Sequence, residues 1–338
     1  MEGLRAVIIG CGAIAGGYNE RASVTGTFSH AAAYRSHAGF KIVACVEPDR
    51  ARRSIFMEHW SIAHGFDDVA ALFASGLTFD VASICAPTSQ HEPLLIALAD
   101  EGIRGVFCEK PMTADIHRTR AIADRYRVAG VPLVVNYTRR WNPSIQELAV
   151  GIAEDRFGSL LSGIAIYDRG VLHHGSHMID LIQMLVGPVQ LDRVLAARAG
   201  HTPDDPLCDA VVVTTRDAPI SLVGVEAGSM GVFELQLVFE KAAVALEDFS
   251  RNIRIRPATP EPLNPERMRL ADAPAVETRW PEALEHAFAE FHDAVCNGTD
   301  VSSDGVSAVA AAALCDEIRG AAISSTGPIR DLHTKEMH

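Results

Sequence analysis

The sequence predicts an α/β chain in two parts, a doubly wound parallel sheet followed by an α+β region with a large, mostly antiparallel open sheet. Three observations carry this. The first 137 residues alternate short apolar, β-branched runs with helical patterns, the signature of βαβ units. After Asn136 the runs alternate apolar and polar residues, as strands with one wetted face do. The length of 338 residues suits about two domains, here 1–137 and 138–338.

In the first part, runs at 4–9, 41–46, 80–85, 105–108 and 131–135 are nearly all apolar, which predicts strands covered on both faces. Helical spacing predicts helices over 49–59, 90–101 and 113–129, the last capped by Thr113. A helix over 142–155 opens the second part. Strands are expected over 163–167, 210–215, 220–226, 232–239 and 243–247. Between the first two of these a helix runs from His174 or Gly175 to Leu185, stopped by Gly187-Pro188. Residues 257–281 hold six prolines and read as a loop. Helices over 281–296 and 306–322 follow, and the residues after Gly327 read as a frayed polar tail.

With 30 basic and 43 acidic residues the net charge is −13, which leaves no basic field for a phosphate backbone and argues against nucleic acid as a partner. No apolar run reaches the roughly 18 residues that cross a bilayer, so no membrane partner is expected. The stretch 6–15 resembles the core of a signal peptide, but Gly10, Gly12, Gly16 and Gly17 would break such a helix. It reads instead as a buried strand entering a glycine turn. Seven scattered cysteines without a C-x-x-C pair suggest a reducing compartment, hence a cytoplasmic protein.

Gly10-x-Gly12-x-x-Ala15 follows a predicted strand and opens a helical pattern. In that context Gly10 permits the tight turn, Gly12 lets a pyrophosphate approach the backbone, and Ala15 lets helix and strand pack closely. Cys11, Ala13 and Ile14 complete the turn, and a helix N-terminus supplies a positive end. An acidic protein can therefore bind dinucleotide phosphates through amide groups. Glu47, at the end of the second strand, suits the two hydroxyls of an adenosine ribose and repels a 2′-phosphate, favouring NAD. Arg50, Arg52 and Arg53 follow closely and keep NADP open. Glu47 lies about 30 residues past Ala15, beyond the ~20 of the usual fingerprint, so residues 17–28 read as an inserted loop.

Cys108-Glu109-Lys110-Pro111 leaves a predicted strand at the carboxyl end of the sheet, where open α/β folds bind ligands. On its own Lys110 reads equally as a solvated lysine at a strand exit. In the second part His173, His174 and His177 stand within five residues, with Asp180 sharing a helix face with His177. A metal site is disfavoured because no acidic ligand motif accompanies the histidines.

Taken in order, Gly10-x-Gly12-x-x-Ala15, Ala86-Pro87-Thr88-x-x-His91, Glu109-Lys110-Pro111, Asn136-Tyr137-x-Arg139-Arg140-Trp141-x-Pro143 and Gly175-x-His177-x-x-Asp180 resemble the glucose-fructose oxidoreductase, inositol dehydrogenase and rhizopine catabolism family, Gfo/Idh/MocA. The resemblance implies a Rossmann domain binding NAD or NADP and a C-terminal domain whose open sheet forms a homodimer or homotetramer contact. It also implies that the final helices pack back on the first domain. Lys110 would contact the reacting hydroxyl and the nicotinamide side, and His177 would be the proton acceptor or donor. Ala86, Pro87, Thr88, His91 and Glu109 would line the cofactor, and Tyr137, Arg140, Trp141, His173, His177 and Asp180 the substrate. One departure stands out: many members carry Asp where this chain has His173, so the catalytic set becomes Lys110, His173 and His177. The activity implied is hydride transfer between nicotinamide and a secondary alcohol or ketone of a sugar, cyclitol or sugar derivative. A redox-neutral, NAD-dependent glycosidase and a non-catalytic dinucleotide-sensing protein are the rivals.

Overall fold

The apolar runs of the first part become strands of one sheet. β1 (Leu4–Ile9), β2 (Phe40–Val46), β3 (His64–Phe66), β4 (Val81–Ile84), β5 (Gly105–Cys108) and β6 (Leu133–Val135) pair in parallel, in the order β3-β2-β1-β4-β5-β6. The direction of winding reverses between β1 and β4, which makes that gap the ligand-binding position of a doubly wound sheet. β4 and β5 are buried at every position, as strands covered by helices on both faces must be. The computed structural model describes residues 3–20, 25–202 and 204–326; the tail after Gly327 lies outside them, as does part of the 17–28 insertion. Strand β3 is too short and too exposed to register as an apolar run. The connecting helices are α1 (His30–Ser36), α2 (Arg50–Trp60), α3 (Val69–Ala74), α4 (Thr88–Asp100) and α5 (Ile116–Ala129). Asp115, not Thr113, caps α5: its carboxylate accepts from the Arg118 amide at 3.0 Å. The buried Thr113 hydroxyl is committed to the Asp115 carbonyl at 2.7 Å and to Thr119 at 2.8 Å.

The second part opens with α6 (Pro143–Ala153), β7 (Leu160–Tyr167) and α7 (His174–Val186). Strands β8 (Val189–Thr202), β9 (Asp205–Thr214), β10 (Pro219–Gly224), β11 (Phe233–Phe239), β12 (Ala242–Glu247), β13 (Asn252–Glu261), β14 (Asn264–Leu270) and β15 (Val276–Glu277) complete it. Their order is β14-β13-β12-β11-β7-β10-β9-β8, with β15 on β13. All these pairs are antiparallel except β7 with β10. On β11, Phe233, Leu235, Leu237 and Phe239 are buried while Gln236 is exposed, the alternation of a sheet packed on one face.

Two expectations fail here for physical reasons. The proline-rich 257–281 segment is not a loop but largely the hairpin β13–β14 and the short β15. Its strand prolines fall where the ladder has ended or is irregular: Pro265 is on the edge strand β14, Pro257 is the last β13 position paired with β12, and Pro260 lies beyond β12 at a register shift. Strand β8 went unread because its Val189, Leu191, Val194 and Leu195 mix with polar and small residues in no clean period.

Two compact units result: residues 1–142 with 281–309, and 143–280 with the chain from 310 onward. Helix α8 (Ala283–Asn297) therefore belongs to the first unit, while α9 (Gly305–Thr326) begins there and continues in the second. Leu284, Ala287, Phe288 and Phe291 of α8 join the core of the parallel sheet. The Phe288 ring stacks on Phe107 at 4.6 Å and meets Tyr34 edge-on at 4.6 Å. Phe288→Ala should cost about 3–5 kcal/mol, read as a lower urea midpoint, with Phe288→Leu losing much less. A midpoint unchanged by the alanine would remove α8 from this core.

Candidate functional site

The ladder of the first sheet carries its hydrogen bonding past the strand ends. The Gly10 amide donates to the Val46 carbonyl at 2.8 Å, Cys85 to Ile9 at 2.7 Å, Glu109 to Ile84 at 2.9 Å and Asn136 to Cys108 at 2.9 Å. The glycine turn, Glu47, the 86–88 turn, Glu109-Lys110 and Asn136 thus leave one carboxyl edge in adjacent positions. Gly10 has φ +91°, and a side chain there would meet the Cys85 carbonyl at 2.7 Å, so only glycine fits. At Gly12 an added Cβ would meet nothing within 4 Å. Cys11, Gly12, Ala13 and Gly17 border, with Arg52 and Ile55, an open pocket of about 410 Å³. A backbone cradle facing open space beside a buried acidic acceptor fits a dinucleotide.

The helix expected after the turn is replaced by a single π turn, Ala13–Gly17. Among the described residues the next helix is α1, which Ser29 caps. Asn19 bridges the interruption: its Nδ2 donates to the Gly26 carbonyl at 2.8 Å, and its Oδ1 accepts from the Phe28 amide and the Ser29 hydroxyl, each at 2.9 Å. So short a turn makes the amides of the glycine turn, rather than a long helix dipole, the source of positive potential. Ile14 is half-buried and Ala15 fully buried within it. The Glu47 carboxylate is buried and accepts from the Cys11 amide at 3.0 Å and the Asp49 amide at 3.1 Å. It therefore holds the glycine turn as well as presenting charge beside it. Arg53 is spent on the Glu47 carbonyl and Asp67; Arg52 is exposed, 3.5 Å from Glu47.

At the next exits Pro87 precedes α4 and Thr88 starts it, with Ala86 half-buried. His91 is 1% exposed, and its ring nitrogens lie 2.8 Å from the carbonyls of Ala86 and Pro111. It ties the two turns together, so its expected place against a ligand becomes one of support. Glu109 Oε1 accepts from Asn136 Nδ2 at 2.6 Å and pairs with His30 Nε2 at 3.0 Å. Burial alone would raise the Glu109 pKa; His30, Asn136 and the charge of Lys110 outweigh it and hold the group below the usual carboxylate value. Lys110 is half-buried and its bond to Pro111 is cis. Tyr137 is buried and Arg140 half-buried, donating to the Ser302 carbonyl at 2.9 Å. Trp141 is a core residue, 1% exposed, its indole N–H on Glu290 at 3.0 Å; an indole so enclosed supports the turn instead of lining a substrate.

Two aspartates hold His173 and His174. Asp205, opening β9, accepts from the Leu172 amide at 2.7 Å and the His173 amide at 3.0 Å. Gly170, at φ +129°, leaves the room: a Cβ there would lie 2.3 Å from the Asp205 carboxyl carbon. Arg169, beside it, adopts φ +68°, a conformation costly for a side-chain-bearing residue. Asp168, buried at the end of β7, bonds His174 Nδ1. His173 precedes α7 and is exposed, its ring edge-on to His174 at 4.7 Å; His177 is half-buried and Asp180 buried.

His30, Asn136, Asp168, His174 and Asp205 are the residues that reading the sequence missed as parts of this machinery. The doublet His173-His174 and the Asn136-Tyr137 motif were the visible signals among them.

Residues 4–137 match the model of the oxidoreductase family GFO_IDH_MocA, NAD-binding Rossmann fold. Curated relatives include a D-apiose dehydrogenase of Paraburkholderia graminis, 27% identical over 51% of this chain and 52% of that enzyme. An inositol 2-dehydrogenase of Rhizobium meliloti is 25% identical over 70% and 76%. The chain spans about half the length of the first curated relatives it matches. Among solved structures, the WlbA dehydrogenase from Bordetella pertussis, in complex with NADH and UDP-GlcNAcA, superposes with TM-score 0.74 at 19% identity, over 95% of this chain and 96% of that one. That likeness concerns the fold. Residues 4–137, about two fifths of the chain, are thus similar to the NAD-binding Rossmann fold of the Gfo/Idh/MocA oxidoreductase family.

Proposed function

We propose that this protein is an NAD-dependent dehydrogenase acting on a secondary alcohol or ketone of a sugar, cyclitol or sugar derivative. The observation that carries the reading is the carboxyl edge of the first sheet, from which the glycine turn, Glu47 and Glu109-Lys110 leave side by side. The printed activities of the relatives, on D-apiose and inositol, point to the same substrate class. A bound nicotinamide supplies hydride acceptance or donation at its C4.

This chain's own residues do the rest. The amides of Gly12 and Ala13 hold the pyrophosphate, those of Gly10 and Cys11 being spent on Val46 and Glu47, and Pro87, Thr88 and Glu109 border the cofactor. Glu47 accepts from the ribose hydroxyls, and its charge disfavours a 2′-phosphate, so NAD is preferred to NADP. The Lys110 ammonium stabilises negative charge on the reacting oxygen. His177 takes the hydroxyl proton in oxidation and returns it in reduction. His173 and Arg140 orient the other hydroxyls, with the buried Tyr137 and Asp180 as supports. The reading places the enzyme in the cytoplasm as an oligomer of identical chains. The contact is the open face of the second sheet, where Ile164 aligns with Gln236 on one side and Ser221 on the other and is 39% exposed.

Lys110→Met should lower turnover on a sugar and polyol panel with NAD⁺ by about 100-fold or more while NADH binding by titration calorimetry persists; equal loss of both would refute the role. Glu47→Ala should weaken NAD⁺ binding by roughly tenfold and narrow its advantage over NADP⁺. A ratio of affinities left untouched would assign cofactor choice elsewhere. By light scattering, wild type should be at least dimeric and Ile164→Arg monomeric, whereas a monomeric wild type would reject the sheet contact.

A further inference from the structure

Two carboxylates gather donors around the ends of β5 and β6. One is Glu109, whose partner His30 is wholly buried and engages through Nδ1 the Ser83 hydroxyl at 2.9 Å, itself 2.9 Å from the Tyr34 hydroxyl. The other is Glu290 on α8, which belongs to none of the sequence motifs and is met by three donors. Its Oε1 accepts from the Trp141 indole N–H at 3.0 Å and from the Ser302 amide, and its Oε2 accepts from the Ser302 hydroxyl at 2.7 Å. The Ser302 carbonyl in turn accepts from Arg140 Nη1 at 2.9 Å. The next residue pins the same loop to the end of β6. Ser303, wholly buried, accepts at its carbonyl from the Val135 amide at 3.0 Å and donates its hydroxyl to the Val135 carbonyl at 2.7 Å. Arg140 is therefore reached twice, along the chain from Val135 and across Ser302 from Glu290.

We propose that Glu290 is a positioning residue for substrate: by holding Ser302 it fixes the carbonyl that orients Arg140, and so it sets affinity for substrate rather than the rate of the hydride step. The proposal rests on the reading in which Arg140 meets substrate hydroxyls. It goes beyond it by assigning that orientation to a helix residue 149 positions after Trp141. A guanidinium carries five N–H donors in one rigid plane, so a bond from Nη1 to a fixed carbonyl sets the direction of the others. Ser302 is exposed, and burial does not hold it; the two bonds to Glu290 and the Ser303 bonds to Val135 do. Trp141, on the same carboxylate, is enclosed and keeps the preceding turn from rotating. Three donors need a group that only accepts. A carboxylate is such a group, whereas an amide of the same shape has one acceptor oxygen and turns an N–H toward one of the donors.

Steady-state kinetics of the full chain at saturating NAD⁺ test this, with myo-inositol and D-apiose, the sugars of the relatives, as probes. In Glu290→Gln, KM should rise about tenfold with kcat within about twofold of wild type. Ser302→Ala, which removes one bond at an exposed position, should raise KM about threefold. Arg140→Ala should raise KM at least as far as Glu290→Gln, and the two together no further, because Glu290 acts through Arg140. Increases that multiply in the double variant overturn the proposal, as does a Glu290→Gln that lowers kcat and leaves KM alone. Should Glu290→Gln fail to fold, an unchanged KM in Ser302→Ala overturns it. A wild type that turns over neither probe defeats the dehydrogenase reading for those sugars, and hydrogen exchange then judges the latch by itself. Faster exchange of the 138–141 amides in Ser302→Ala supports it, and exchange equal to wild type overturns it.

Discussion

Glu109 is a negative charge largely withdrawn from water at the end of an inner strand, its side chain 15% exposed, and polar groups from α1 and the end of β6 answer to it. Desolvation of a carboxylate costs several kcal/mol unless donors meet it, and here two do, one from each flank of β5. The donors come from far apart in the chain, His30 79 residues before Glu109 and Asn136 27 after. The backbone ladder makes this possible: by running one position past the strand ends it fixes β4, β5 and β6 in register. The side chains of Ser83, Glu109 and Asn136 then fall within reach without distortion. A slip of one residue between β4 and β5 would turn Ser83 to the opposite face of the sheet and cut the chain of bonds at its middle.

The interruption after the glycine turn belongs to the same arrangement. A continuous helix from Ala13 would place later residues by the 1.5 Å rise per residue. Instead the π turn ends at Gly17, Asn19 bonds Gly26, Phe28 and Ser29, and α1 begins at His30 behind its Ser29 cap. That restart sets His30 at the head of α1, against Ser83 and Glu109. The cost is a shortened positive helix end beside the phosphate position. Glu47 compensates in part by clamping the Cys11 amide, which fixes the turn's geometry by side chain where helix propagation would otherwise do so.

How far the sequence shows this differs by element. β1 and β5 are readable to the residue because parallel strands covered on both faces are uninterrupted apolar runs; the hairpin β13–β14 is not, because proline counts against a strand in local statistics while an edge position or the end of a ladder removes the objection. Lys110 and Glu109 are readable because strand, charge and proline are contiguous. His30, Asp205 and Asp168 are not, since nothing in a neighbouring residue announces a partner tens of positions away. His91 and Trp141 mislead in the opposite sense: their motif is visible, but the enclosure that makes them supports appears only in three dimensions.

An imidazole at position 173 suits the charges already assembled there. Asp205 places both carboxylate oxygens on the amides of Leu172 and His173, Asp168 holds His174, and Asp180 is buried two turns into α7. Ionised carboxylates crowded together raise one another's proton affinity. A further one at 173, on the very residue whose amide Asp205 clamps, would add repulsion at the start of the helix. Asp205 already supplies the negative charge that a helix N-terminus favours. An imidazole at 173 keeps a side chain able to donate or accept without adding an anion. The carboxylates thus act on this loop from Asp168 and Asp205, on β-strand ends, rather than from position 173. Strand ends are the more rigid anchors, so His173 and His174 are steadied by groups outside their own helix.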